Sequence, residues 1–262
     1  MAIFVAASAA LFGLVIGSFL NVVVYRVPAG LSVLAPRSAC PGCAKQIAWY
    51  DNIPVLSWLV LRAKCRNCKE SISVRYPIVE ASTGALFVLL AVTVPRDSLI
   101  PLVCLVGAAC LALAIVDFET MRLPDQIVFT TAVLVVAGVI LDGFLSGEWP
   151  LLRAAESALL WALVFGIPWL VTSGRGMGFG DVKFAPVLGL MLGWVGWGES
   201  LVGLFSGFLL GSIIGVLLIL VAKSEKRRRI PYGPFMVAGT LVGLLAGQSL
   251  WGLYLRTFFP TL

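Results

Sequence analysis

Polar residues in this chain gather into a few connections that separate long, uninterrupted apolar runs. A helix needs about 17 to 25 residues to cross a bilayer. On that measure eight runs are candidate spans, approximately Ala2 to Val24, Ile78 to Val94, Leu99 to Val116, Ile127 to Leu141, Ala154 to Val171, Phe184 to Trp197, Leu201 to Val221 and Phe235 to Leu255. Backbone N–H and C=O groups in lipid must bond within their own segment, and runs this long fit helices better than the alternation of a barrel strand. The expected fold class is therefore all-α, a polytopic membrane protein. The pattern divides the chain into a first transmembrane helix (residues 1–24), a polar insertion (25–77) and a seven-helix membrane domain (78–262). Spans four and six are the shortest, at about 15 and 14 residues, and are expected to thin the bilayer locally and admit water. The first span has no basic residue before it and no small-residue cleavage site after it. It is expected to be a retained helix and not a removed signal peptide.

Composition agrees with this. The 262 residues are 60% hydrophobic and 12% charged, with a mean hydropathy of +1.02, which excludes a soluble domain with an ordinary polar surface. The net charge of +6 is unevenly placed. Arg26, Arg37, Lys45, Arg62, Lys64, Arg66, Lys69 and Arg75 lie between spans one and two, and Arg122, Arg175, Lys183, Lys223 and Lys226 to Arg229 lie in every second connection after that. Positive residues resist translocation, so these connections are expected in the cytoplasm and both termini outside. The charge is thus a topology signal and calls for no nucleic-acid partner. The run Lys226 to Arg229 is read as an anchor that also touches anionic membrane lipid.

The insertion holds four of the six cysteines, as two CxxC pairs, Cys40 with Cys43 and Cys65 with Cys68. A segment of about fifty residues is marginal as an independent core. On the reducing side of a membrane, two such pairs favour a tetrahedral four-thiolate zinc site over disulfides. Four protein ligands leave no open position, so the Zn²⁺ is expected to be structural. Cys104 and Cys110 lie inside span three and are read as buried small apolar residues. Span seven carries Gly203, Gly207, Gly211 and Gly215, and span eight carries Gly239, Gly243 and Gly247. Both stripes are read as close helix packing.

The chain has no histidine, which excludes a Ser-His-Asp or Cys-His nucleophile and an HExxH zinc protease. Carboxylate chemistry remains. Asp117 ends span three in LAIVDFETMRLPD, and Asp181 opens span six in GFGDVKF. Alternating topology brings both to the cytoplasmic face at similar depth. Two carboxylates meeting at low dielectric cannot both ionise cheaply, so one keeps a proton while the other acts as a base. Such a pair activates water against a peptide carbonyl. The glycines before Asp181 (Gly176, Gly178 and Gly180) are expected to reach positive φ and to let an extended substrate approach closely.

Other readings compete at each acid. Asp181 opens a helix, where an aspartate N-cap is common, and Asp125 after Pro124 reads as the cap of span four. Asp117 has no such reading, because an acid at a helix C-terminus opposes the dipole, although Arg122 is near enough in sequence to offset it. Glu80 and Glu156 are ionisable groups near the membrane, hence functional candidates or simply snorkelling side chains. The glycine run lacks both the preceding strand and the spacing of a nucleotide-binding loop.

At these residues the chain resembles the prepilin peptidases, or type IV leader peptidases, which are intramembrane aspartyl proteases with a Gly-x-Gly-Asp signature. Here it reads Gly178-Phe179-Gly180-Asp181, and the partner motif, an aspartate followed after five residues by Leu-Pro-Asp, runs from Asp117 to Asp125. The likeness extends to GSFLNVVVYRVP (Gly17 to Pro28), the four cysteines, NIPVLSW (Asn52 to Trp58), RYPIVE (Arg75 to Glu80) and PYGPF (Pro231 to Phe235). Ala63 in LRAKC stands where the family often has glycine. The resemblance implies that Asp117 and Asp181 are the catalytic pair, and that the substrates are prepilins or pseudopilins cut at the cytoplasmic face of the bacterial inner membrane. It also implies methylation of the new N-terminus with S-adenosylmethionine, for which Glu80 is the one candidate in a donor site. Two other classes of function fit intramembrane acids: a proton-coupled transporter and a non-catalytic assembly factor of a secretion or pilus machine. No feature of the sequence specifies an oligomer.

Overall fold

The computed structural model describes residues 2–94, 96–221 and 230–259; the basic run at Lys223 and Lys226 to Arg229 lies outside them. Among the described residues the fold is all helical, with two isolated β-bridges and no strand. Its helices are α1 (Ala2–Arg26), a short α2 (Leu56–Val60), α3 (Arg75–Thr93), α4 (Ile100–Thr120), α5 (Asp125–Ser146), α6 (Leu151–Val171), α7 (Phe179–Val195), α8 (Trp197–Val221) and α9 (Gly233–Phe258). Seven of the eight long helices have the length and apolarity to span a bilayer. The eighth, α7, is 17 residues long, about 26 Å at 1.5 Å per residue, against a hydrocarbon core of about 30 Å.

The chain divides into two compact units, Met1–Ala108 and Ala109–Leu262. In the first, α1 packs along α3 through glycines. A Cβ on Gly13 would come within 2.7 Å of Gly84 Cα, and one on Gly17 within 2.7 Å of Glu80 Cα. Polar contacts join α1 to α3 and order the insertion internally. Asn21 of α1 donates to Tyr76 O at 3.2 Å, Trp58 Nε1 donates to Ile72 O at 3.1 Å, and Ser57 Oγ donates to Tyr50 O at 3.0 Å.

In the second unit α7 is the central helix. It packs against α5, α6, α8 and α9, and Phe184, Ala185, Leu188 and Leu192 are fully buried. Gly189 and Gly193 let α6 approach, since a Cβ at either would collide with Ser157 or Trp161. Ser157 Oγ donates to Gly189 O at 2.6 Å. Arg153 caps the far end of α7, donating to Gly193 O at 2.8 Å and Trp194 O at 2.7 Å, and so satisfies carbonyls that a helix C-terminus leaves free.

This packing corrects the expectation about short spans. Span four is a full-length helix, because α5 continues past Asp142 to Ser146. Asp142 is tolerated inside it by accepting from Trp194 Nε1 at 2.9 Å. Span six is short, but α7 is enclosed by four other helices, so its length is not matched to lipid and gives no ground for a thinned bilayer.

Candidate active site

Asp117 lies in the last turn of α4 and is 5% exposed; Asp181 lies in the first turn of α7 and is 9% exposed. The fold brings the two motifs together, with the start of α7 at Gly180 lying against Leu123, six residues after Asp117. Asp117 faces the start of α9, where Gly233 N donates to its Oδ2 at 2.8 Å. A helix N-terminus concentrates free N–H groups and partial positive charge, so α9 offsets the unfavourable place of an acid at the end of α4. The expected offset from Arg122 is not what is found: Arg122 is exposed, and the compensation comes from the PYGPF segment. Gly233 is required there. A Cβ on it would lie 2.9 Å from Asp117 Oδ2 and 3.2 Å from Cγ.

Asp181 is not an N-cap. Gly178 holds the cap position of α7, and Asp181 N donates to Gly178 O at 3.1 Å. Asp125 is not one either. Pro124 occupies the cap of α5 with no side-chain hydrogen bond, and Asp125 instead pairs with Lys183, two residues beyond Asp181. That ion pair ties the start of α5 to the first turns of α7, and Lys183 also lies 5.2 Å over the Phe179 ring.

The glycine run behaves differently from the expectation. Only Gly174, at φ 76°, adopts the left-handed conformation. Gly176, Gly178 and Gly180 serve by their lack of bulk. A Cβ on Gly178 would lie 3.0 Å from Asp181 Oδ2, one on Gly180 3.1 Å from Leu123 Cβ, and one on Gly176 3.1 Å from the Thr172 side chain. The close approach of Gly180 to Leu123 brings the Leu-Pro-Asp loop against the start of α7, which joins the two aspartate motifs in space.

In the first unit the four thiols of Cys40, Cys43, Cys65 and Cys68 converge, all sulfurs lying within 4.8 Å of one another. Cys40 Sγ and Cys68 Sγ are 3.6 Å apart, near the roughly 3.8 Å that a tetrahedral ion with 2.3 Å metal–sulfur bonds requires. Each pair sits on the same turn. Ala44 N donates to Cys40 O and Lys69 N to Cys65 O, at 2.9 and 3.1 Å, while Cys40 N and Cys65 N donate to Lys45 O and Glu70 O. Ala44 and Lys69 both take positive φ. The amides of Cys68 and Asn67 draw the Cys65 thiol down to about 6. Cys68, despite a lowering hydrogen bond from Glu70, is driven up to about 12 by desolvation and by neighbouring sulfurs. A metal ion here would bind the sulfurs as thiolates. The donor set fits zinc.

Glu80 is buried in α3, and its Oε2 accepts from Val55 N at 2.7 Å. Val55 has φ 61°, a strained conformation for a β-branched residue, so Glu80 latches the turn of NIPVLSW to RYPIVE. Glu156 is exposed on α6.

Fold and site define a polytopic helical membrane protein with a buried carboxylate pair and a four-thiolate cluster. A family model described as the Bacterial Peptidase A24 N-terminal domain matches residues 11–94, and one described as the Type IV leader peptidase family matches residues 104–220. The prepilin leader peptidase/N-methyltransferase of Aeromonas hydrophila is 35% identical over 276 residues, covering 95% of this chain and 93% of its own length. Proteins of the same name from Stutzerimonas stutzeri and Pseudomonas aeruginosa are 32% and 31% identical, covering 95% and 94% of this chain and 93% and 92% of theirs. No solved structure matches the chain. The chain belongs to the type IV leader peptidase family.

Proposed function

We propose that this protein is an intramembrane aspartyl endopeptidase of the bacterial inner membrane that removes the basic leader of prepilins or pseudopilins at the cytoplasmic face, and that it methylates the new N-terminus. The observation that carries the peptidase reading is the convergence of Asp117 and Asp181 at the ends of α4 and α7, both buried. The names of the relatives support both activities.

In this reading the pair holds one proton. The unprotonated carboxylate takes a proton from water as the water oxygen bonds to the scissile carbonyl carbon, while the protonated partner hydrogen-bonds the carbonyl oxygen. The carbonyl π electrons move onto that oxygen. Collapse re-forms the carbonyl and breaks the C–N bond, and the amine leaves with a proton returned from the pair. The Gly233 amide fixes Asp117 throughout, and the lack of side chains at Gly178 and Gly180 lets the start of α7 pack closely around Asp181 and Leu123.

Cys40, Cys43, Cys65 and Cys68 would hold a structural Zn²⁺ that staples the insertion. S-adenosylmethionine would supply the methyl group. Glu80 is poorly suited to hold it, because its carboxylate is committed to Val55 N and to Ser18. The insertion is cytoplasmic and both termini lie outside. Incubation of the purified protein with a prepilin-like peptide is the test: site-specific cleavage is the expected result, and a peptide left intact would favour a transporter or an assembly factor.

A further inference from the structure

Tyr232 is the N-cap residue of α9, immediately before the glycine whose amide holds Asp117. Its ring is confined on several sides. Ring centroids of Phe165, Phe208 and Phe235 lie 5.8, 5.7 and 6.1 Å away. On the α8 side Gly211 makes room, since a Cβ there would come within 2.7 Å of the tyrosine Cε2. The ring therefore has a fixed direction. Its hydroxyl oxygen is buried and has no hydrogen-bond partner among the described residues.

A cluster that needed only an aromatic ring would be served by phenylalanine, which supplies the other members. A buried hydroxyl without a partner lowers stability, so its presence calls for a group that visits the space. Tyr232 directly precedes Gly233, whose amide is already committed to Asp117, one of the two carboxylates Asp117 and Asp181. The group that must enter between these carboxylates is a peptide carbonyl, and a phenol is a suitable donor to it.

We infer that Tyr232 is a further catalytic residue, its hydroxyl donating a hydrogen bond to the scissile carbonyl oxygen as that oxygen gains negative charge. The inference rests on the peptidase reading above. No proton is transferred from the tyrosine. It adds a second fixed donor to the one supplied by the protonated carboxyl, in a site already shielded from water, where such donors act most strongly.

The test is Tyr232→Phe in the full-length protein, with steady-state cleavage of a prepilin-like peptide and thermal unfolding measured together. The expected result is a fall in kcat of about 10²-fold, a KM changed less than about threefold, and a Tm unchanged or raised because an unsatisfied hydroxyl has gone. A kcat within threefold of the parent, or a loss lying entirely in KM, overturns the inference. Should the variant fold poorly, 3-fluorotyrosine installed at position 232 keeps the ring and strengthens the O–H donor. It should raise kcat roughly twofold, and an unchanged kcat is again contrary. If the parent protein itself leaves the peptide uncut, the peptidase reading fails and takes this role with it; if the parent cleaves and Tyr232→Phe cleaves equally well, only the tyrosine's role is lost.

Discussion

Replacement of Gly233 by alanine adds a single methyl group at the closest contact between a helix end and a candidate catalytic acid. Its Cβ would stand 2.9 Å from Asp117 Oδ2, 3.1 Å from Cβ and 3.2 Å from Cγ. Asp117 is 5% exposed and anchored in α4, so it cannot swing aside. The start of α9 must retreat by several tenths of an ångström, which stretches the 2.8 Å bond from Gly233 N to Oδ2. A hydrogen bond to a charged group contributes about 1.5 to 3 kcal/mol, which corresponds to a loss of about 10- to 100-fold in kcat/KM if it is fully expressed in the transition state. Gly252, in the same helix, is the control. A Cβ there meets nothing within 4 Å, so Gly252→Ala should raise stability by about 0.5 to 1 kcal/mol through helix propensity alone and leave cleavage unchanged. The assay is peptide cleavage by purified protein at matched concentration, with thermal unfolding of each variant. Full activity in Gly233→Ala would refute the role given to this contact, and an equal loss in Gly252→Ala would show that α9 responds to any added methyl.

Asp117→Asn and Asp181→Asn should each reduce cleavage by orders of magnitude with little change in protein level, and the double variant should be hardly worse, since parts of one catalytic unit are not additive; substantial activity in either single variant would sink the pair. Asp125→Asn should keep activity within a few-fold, because it loses an ion pair 59% exposed on the aspartate side that contributes less than about 1 kcal/mol. Metal analysis should find about one zinc per chain, with Cys65→Ser lowering the amount of folded protein more than the cleavage rate of what remains; metal-free protein with an ordered insertion would contradict the site. Ala63 has φ 58°, where a Cβ is strained, so Ala63→Gly should stabilise the insertion by about 1 kcal/mol, and a lower Tm would show that the strain is relieved in some other way.

Hydrophobic patterning was enough to locate every long helix, because each must satisfy its backbone internally and cover its surface with apolar side chains. The four cysteines and the two aspartates were legible from residue type and spacing. What could not be read was which groups answer them. Asp117 is balanced by a backbone amide more than a hundred positions away, a donor that every residue but proline carries and that only three-dimensional placement singles out. The same is true of Asp125. Its cap reading was sound for an acid after proline, but the chain gave no sign that Lys183 would reach it. The length of α5 was misread because Asp142 looks like a boundary, and its indole partner Trp194 lies on another helix.

The glycine stripes of α8 and α9 were read as packing and nothing more, yet packing is how the site acquires its geometry. A Cβ on Gly239 would lie 2.5 Å from Gly207 N, one on Gly243 2.5 Å from Glu199 O, and one on Gly247 2.5 Å from Glu199 Cα. Backbones this close have few alternative registers, since a shift of one residue would set side chains against backbone along the whole interface. The register of α9 against α8 then fixes where α9 begins, and Gly211, on the same face of α8, receives the ring of Tyr232. The placement of Gly233 N against Asp117 is thus the near end of a constraint distributed over several turns of two helices. A loop could carry the same residues, but a loop would not hold the Gly233 amide at a fixed distance from a buried acid.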